Sequence, residues 1–227
     1  RRGNYRGELM KTKFSFIAVS LLTSLFVYSL AICAEELKPI KLLAPQTEGG
    51  KPLMQALKER KSLREFSPRE LSLQVTSDML WAACGVNRPD SGKRTAPSAR
   101  DMQEIDIYVV KMEGVYLYDA KANMLAPILA EDIRALTGQQ LFVKDAPVNL
   151  VYVADLSKMG GMPSDAVDFY AATDTGFISE NVYLFCASAG LATVVRGLVD
   201  KQALAKAMKL RPDQKIILAQ TVGYLKE

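Results

Sequence analysis

Residues 173–191, TDTGFISENVYLFCASAGL, form the longest apolar segment with helical spacing, and they decide the fold class. Apolar side chains such as Phe177, Val182 and Phe185 spread around the whole circumference of the predicted helix. A helix without a polar face is buried in a core or in an interface between chains. Gly190 is the expected stop at its C-terminal end. The segment therefore predicts a long helix enclosed by the rest of the fold or by a second chain.

The segments around this helix predict strands and shorter helices. Residues 105–110 alternate and are β-branched, and residues 115–119 follow a Glu-Gly turn, so together they predict a hairpin. Residues 148–154 are almost wholly apolar, as expected of a central strand covered on both faces. A further strand is predicted over 215–224, a long loop over 85–100, and helices over 52–61, from Ser72 or Thr76 to about Ala83, over 130–136 and over 203–208. The composite predicts an α+β fold, with helices around a mixed, mainly antiparallel sheet.

Composition excludes several kinds of active site. The 227 residues include 49% hydrophobic residues and no histidine, so His-based triads and His metal clusters are excluded. The sequence contains neither a GxGxxG segment between a strand and a helix nor a GxxxxGK[ST] segment, so no dinucleotide fold or P-loop is predicted. The length suits one domain or two small ones.

The first 34 residues have the pattern of a secretory signal peptide. Five basic residues against one acidic residue precede and enter an apolar run that ends in small residues near Ala31–Ala34. This segment carries the whole net charge of +4, so residues 35–227 are neutral and nucleic-acid binding is not expected. We predict a signal region at 1–34, with 1–9 before Met10 as an upstream extension or scar, and a domain at 35–227. The protein is then exported, into the periplasm of a bacterium. An uncleaved N-terminal membrane anchor is the alternative.

Cys84 and Cys186 both lie in apolar helical patterns. This placement favours buried free thiols, and a disulfide in an exported protein is the alternative. Neither CxxC spacing nor a cluster of Cys with Asp or Glu occurs, so no metal site is predicted.

Three segments carry residues suited to an anionic, flat ligand. Arg60-Lys61-Ser62-Leu63-Arg64 places three cations and a hydroxyl within five residues, which suits a phosphate or an anionic ring oxygen. Residues 95–103 combine small residues with Pro97, and residues 190–197 are small and apolar. A solvated helix end and a surface loop are the competing interpretations, and no segment is specific by itself.

Together and in this order the segments resemble the nitroreductase family of flavin enzymes, from about Gly50 to Lys226. The family's R-x-S-x-R-like segment corresponds to 60–64, and its P-S-x-x-N-x-Q loop to 97–103. Its long helix with Asp-x-Gly and a final Gly-Leu corresponds to 174–191, and its closing Gly-Tyr to 223–224. The hairpin at 114–119 is similar to that of the compact branch, which includes oxidases of peptide-modifying gene clusters.

The resemblance implies an intertwined homodimer with two FMN molecules at its interface. The implied cofactor-binding residues are Arg60, Lys61, Ser62 and Arg64 at the ribityl phosphate and the N1–C2 edge of the flavin, Pro97, Ser98 and Ala99 from the other subunit, and Val195, Arg196 and Gly197 near N5. Two positions depart from the family pattern. Asp101 stands where the loop usually has Asn and cannot donate an amide hydrogen bond, and Lys226 is the one cation beyond the Gly-Tyr strand.

The implied activity is ping-pong hydride or electron transfer through flavin N5, to or from a small flat substrate such as a nitroaromatic or a quinone. The flavin carries this chemistry, so no catalytic side chain is predicted. NAD(P)H is the common donor in the family. An exported member would need another donor, or would oxidise its substrate and reduce a quinone or oxygen. The alternatives are a non-catalytic flavin-binding or interaction module, and an azoline dehydrogenase acting on a modified peptide.

Overall fold

The computed structural model of the protein describes residues 36–226, so the predicted signal region lies outside it. Within that range the strands are β1 (Ile40–Lys41), β2 (Val86–Arg88), β3 (Lys93–Arg94), β4 (Ile105–Lys111), β5 (Gly114–Asp119), β6 (Met124–Leu129), β7 (Val148–Asp155), β8 (Leu191–Arg196) and β9 (Gln214–Tyr224). The α-helices are α1 (Leu53–Glu59), α2 (Leu73–Cys84), α3 (Ser164–Ala189) and α4 (Lys201–Ala207). Short 3-10 helices lie at Ala99–Asp101, Arg134–Thr137, Leu141–Lys144 and Leu156–Met159.

Seven strands form one sheet in the order β1-β6-β5-β4-β7-β9-β8. Every neighbouring pair in it is antiparallel. All eight residues of β7 are buried, which confirms the predicted central strand. The β4–β5 hairpin is also confirmed, with Val110 paired to Val115 across it. The α+β prediction is correct, and the mainly antiparallel sheet contains no parallel pair among the described strands.

The long helix α3 is confirmed but begins nine residues earlier than predicted. Pro163 precedes it and Asp165 places an acidic side chain in its first turn, both typical of a helix start. The apolar spacing that identifies the helix is weaker in its first nine residues, so the sequence pattern did not predict them as part of the helix. At the other end Gly190 adopts φ +71° and closes the helix as predicted, with its N–H donating to the carbonyl of Cys186.

Other element predictions had mixed outcomes. Ser72 caps α2, its hydroxyl accepting the N–H of Val75 at 3.2 Å. The predicted helix at 130–136 is wrong, because only the 3-10 turn Arg134–Thr137 forms there. The predicted loop at 85–100 contains the small β2–β3 hairpin. Strands β6 and β8 were not predicted, since Pro127 interrupts the first and the second continues the apolar pattern of α3.

The two cysteines of the described range are buried and free, as predicted. No helix within residues 36–226 has the length and apolar character needed to span a membrane. In the same range no three His, Cys, Asp or Glu side chains are grouped so that they could hold a metal.

Helices α1 and α3 keep several large apolar side chains at the surface. Helix α3 buries eight residues against the sheet and the other helices, yet Phe169 and Phe177 on it are 64% and 44% exposed. On α1, Leu53 and Met54 are 63% and 75% exposed. A single chain thus leaves uncovered part of the apolar surface that the sequence assigned to a core or an interface.

Candidate functional site

The basic segment 60–64 follows α1 and runs beside β8 at one edge of the sheet, and the residues directly after it pair with the chain that follows β9. Leu63 N–H donates to the carbonyl of Thr193 on β8 at 2.9 Å. On its other side, Phe66 pairs with Leu225 directly after β9, and Lys226 N–H donates to the carbonyl of Glu65 at 3.4 Å. The backbone is therefore held on both sides, while the side chains of Lys61, Ser62 and Arg64 stay exposed. Such a segment can present cations to a ligand from a fixed backbone.

Tyr183 of α3 connects this segment to β8. Its hydroxyl lies 2.8 Å from Ser62 Oγ and accepts the N–H of Val195 at 2.9 Å. The guanidinium of Arg60 lies over the same ring, 5.2 Å from its centroid. The structure thus brings Arg60 and Ser62, from one predicted segment, and Val195, from another, around one tyrosine. Sequence analysis missed Tyr183, because within an apolar helix nothing marks it as different from a core residue.

Two clefts adjoin the basic segment, one beside the Tyr183 cluster and one at Arg64. One, of about 460 Å³, is lined by Lys58, Lys61, Leu63, Tyr183 and Thr193 among others. Lys51 lies there too, but its ammonium is held by Glu59 and by the carbonyl of Ala187. Lys58 and Lys61 form no salt bridge with another described residue, so they offer their charge to a ligand.

The second cleft, of about 760 Å³, is on the far side of the basic segment. Arg64, Phe66 and Lys226 are among the residues that line it. Lys226 therefore lies in the same cleft as Arg64, although the two are 162 positions apart in the chain. Glu65 and Glu70 also line this cleft, so its charge is more balanced than that of the first.

The loop at 97–103 is rigid and conformationally strained. Arg100, Asp101 and Gln103 have φ angles of +52°, +58° and +50°, values that non-glycine residues rarely adopt. Ser98 Oγ accepts the N–H of Gln103 at 3.0 Å, and Asp101 Oδ1 accepts from Gln103 Nε2 at 3.1 Å. Strain of this kind persists only where the surroundings hold it, and it clusters at binding sites. The Asp101 carboxylate, which replaces the expected amide, is engaged within the loop itself.

Asp174, from the Asp-x-Gly motif of α3, anchors this loop. Its Oδ2 accepts the N–H of Ala99 at 2.7 Å. Beside it, Glu104 is fully buried, and neither of its carboxyl oxygens has a hydrogen-bond partner in the described chain. Burial, and then the neighbouring charge of Asp174, raise the pKa of Glu104 to about 7. A buried carboxyl that keeps its proton near neutral pH thus lies under the loop.

Within one chain the loop and the Tyr183 cluster are separate. Asp174 and Tyr183 are nine residues apart on one helix, which is roughly 14 Å at a rise of 1.5 Å per residue. Pro97, Ser98 and Ala99 therefore do not join Arg60 and Ser62 in the same copy.

Arg196 and Gly197 follow Val195 but differ from it in placement. Gly197 is exposed, whereas Arg196 is only 4% exposed. Its guanidinium points into the interior, where Nη1 donates to the carbonyl of Thr137 at 2.5 Å and Nη2 to Asn149 Oδ1 at 2.9 Å. The side chain of Arg196 therefore does not share the surface formed by Ser62 and Val195, where the resemblance had placed it. Alternation along β8 explains this, because successive side chains point to opposite faces.

The chain matches the family described as "Nitroreductase family" over residues 57–224. It is 31% identical, over 169 residues, to a relative from Methanocaldococcus jannaschii assigned as a nitroreductase, covering 70% of this chain and 85% of the relative. The family match runs from the end of α1 to the end of β9, and so includes both the basic segment and the strained loop.

Solved structures give the same result. The crystal structure of a protein from Ralstonia eutropha JMP134, described as a candidate nitroreductase, is similar with a TM-score of 0.81 and 43% identity, covering 84% of this chain and 91% of that one. An FMN-dependent nitroreductase from Clostridium difficile R20291 shares the fold, with a TM-score of 0.55 and 17% identity over 77% of this chain and 88% of that one. The chain therefore belongs to the nitroreductase family, whose members are flavin-dependent oxidoreductases.

Proposed function

We propose that the protein binds FMN at the Tyr183 cluster and uses it to pass electrons to or from a small flat substrate such as a nitroaromatic or a quinone. One observation carries the proposal: the Tyr183 hydroxyl joins Ser62 to the backbone of Val195, beneath Arg60 and next to a cleft with two unpaired lysines. The chemistry of these donors suits FMN, because cations and hydroxyls bind its phosphate and its electron-rich ring edge.

The residues have distinct roles in this proposal. Lys61, with Lys58, attracts the phosphate into the smaller cleft, and Arg60 and Ser62 orient the cofactor against β8. Bound FMN supplies the redox chemistry, which the side chains of this site do not provide. Arg64 and Lys226 extend the positive surface into the wider cleft. The side chains thus bind and orient FMN and give its site a positive charge, and none of these roles requires a histidine.

The decisive experiment measures FMN content and affinity of the full chain. We expect a yellow protein, or a colourless one that regains a flavin spectrum when FMN is added. The variant Arg60→Met should bind FMN about tenfold more weakly, the effect of losing one charge-assisted contact. Arg69→Met is the matched control, because Arg69 also stacks on a tyrosine, Tyr224, outside the cluster. Protein that stays colourless with excess FMN would refute the proposal.

A homodimer completes the site in this proposal. It covers the exposed Leu53, Met54 and Phe177, and it brings the strained loop of one copy to the Tyr183 cluster of the other. Sedimentation of the full chain should show a dimer, and Met54→Lys should shift it toward monomer. Met112→Lys is the control, since Met112 is also exposed but lies in the β4–β5 turn. A wild-type monomer that binds FMN with full affinity would contradict the shared site.

We further propose that the protein is exported, on the strength of the basic and apolar pattern of residues 1–34. Fractionation of cells, with mass spectrometry of the mature N-terminus, tests this. Cleavage near Cys33 or Ala34 with recovery outside the cytoplasm is expected, and an intact N-terminus in a membrane pellet would indicate the anchor instead. Anaerobic mixing with NADPH, and separately with a reduced quinone, then identifies the donor class.

A further inference from the structure

Arg196 is a buried cation without an acidic partner. It is 4% exposed, and no salt bridge joins it to another residue of the described chain. Its Nε has no hydrogen-bond partner, while its two Nη atoms donate to the carbonyl of Thr137 and to Asn149 Oδ1. Burial lowers the pKa of this guanidinium to about 10, so it remains charged at neutral pH.

The fold reserves a place for this side chain. A Cβ added at Gly138 would lie 2.0 Å from Arg196 Nη1, so any larger residue at 138 would displace the guanidinium. Asn149 is held in turn by the Thr221 hydroxyl, which donates to its Oδ1 at 2.6 Å, and by its own amide, which donates to the carbonyl of Val143 at 2.8 Å. The cation therefore has one defined position.

Stability alone does not account for the charge. Burying an ion without a counter-ion costs several kcal/mol, and a neutral amide could make the same two hydrogen bonds. Arg196 directly follows Val195, and the backbone N–H of Val195 donates to the Tyr183 hydroxyl in the Tyr183 cluster. A cation behind that strand acts through a medium of low dielectric constant, where its field is poorly screened.

We propose that Arg196 is a positioning residue that acts electrostatically through β8 and makes bound FMN easier to reduce. It touches neither FMN nor substrate, and its fixed positive charge favours the more electron-rich state of the cofactor. This inference rests on the proposed function, because it requires FMN at the Tyr183 cluster.

The test compares midpoint potentials of the FMN-loaded full chain in wild type, Arg196→Lys, Arg196→Gln and Arg196→Met. In the two uncharged variants the preference for oxidised over reduced FMN should rise about tenfold relative to wild type. This is the size of effect expected of a unit charge at a distance on the order of 10 Å with an effective dielectric constant of about 20. Arg196→Lys should restore most of the wild-type potential. Arg211→Met is the control, since it removes an arginine that is half exposed and paired with Asp155.

Apo-protein unfolding, measured in parallel, separates an electrostatic role from a purely structural one. If Arg196 only links Thr137 to Asn149, Arg196→Gln will change stability and leave the potential at the wild-type value, which overturns the inference. If Arg196→Met fails to fold, the Lys and Gln pair still decides. A wild-type protein that binds no FMN would refute the proposed function as well, whereas equal potentials in variants that bind FMN would refute this inference alone.

Discussion

Replacing Glu104 by glutamine should flatten the pH dependence of folding stability. Glu104 is fully buried, and its carboxyl oxygens have no hydrogen-bond partner in the described range. The ionisable groups around it come from three elements: Asp174 on α3, Lys158 on the 3-10 helix Leu156–Met159, and Cys84 on α2. Burial, and then the charge of Asp174, raise its pKa, and the opposing effects of its own backbone amide and of Lys158 do not cancel them.

The magnitude follows from linkage. The pKa rises from 4.5 to about 7 on folding. A folded-state pKa above the unfolded value means that the stabilising contribution is complete below pH 4.5 and is lost as the pH rises through about 7. At 1.36 kcal/mol per pKa unit the loss is at most about 3 kcal/mol. Glutamine has no proton to lose, so Glu104→Gln should not show this loss.

The assay is urea unfolding of the full chain at several pH values from 4.5 to 8.5. The free energy of unfolding of wild type should fall relative to that of Glu104→Gln over this interval, by up to about 3 kcal/mol. Glu113→Gln is the matched control, because Glu113 is exposed and pairs with Lys111 in the β4–β5 turn. Parallel curves for wild type and Glu104→Gln would refute the reasoning, since they would mean that Glu104 titrates alike in both states.

Three further substitutions test other parts of the structure. Tyr183→Phe removes the hydroxyl shared by Ser62 and Val195 and should weaken FMN binding about fivefold, as seen by flavin fluorescence titration; unchanged affinity would place FMN elsewhere. Asp174→Ala removes the acceptor of the Ala99 N–H and should speed tryptic cleavage after Arg100, whereas Asp174→Asn, which keeps an acceptor oxygen, should cleave more slowly than the alanine variant. Gly190→Ala forces a Cβ onto a residue with φ +71° and should lower the free energy of unfolding by about 1 kcal/mol, measured thermally, with Gly190→Asn losing less.

The local pattern was sufficient for the main elements. Period-2 alternation and continuous apolar runs identify β4, β5, β7 and β9. Alternation indicates a strand with one buried face, and a continuous apolar run indicates a strand buried on both faces. The same reasoning failed at 130–136, where only a short 3-10 turn forms, and at β8, whose apolar residues continue the pattern of α3 without a break. Periodicity indicates which face of an element is apolar, but it does not locate the boundary where one apolar element directly follows another.

Local sequence patterns are enough to predict the α+β class, the basic segment at 60–64, the helix stop at Gly190 and the order of motifs that resembles a flavin enzyme. These features depend on residues that are close in the sequence, or on the order of motifs along the chain. The tertiary structure sets which side chains contact each other across long distances in the sequence. Ser62 and Tyr183 are 121 positions apart, and the burial of Glu104 and of Arg196 depends on elements distant in the chain. The role of a hydroxyl or a charged group depends on which groups surround it in the folded chain and on how far it is buried from water. A local sequence pattern contains neither kind of information.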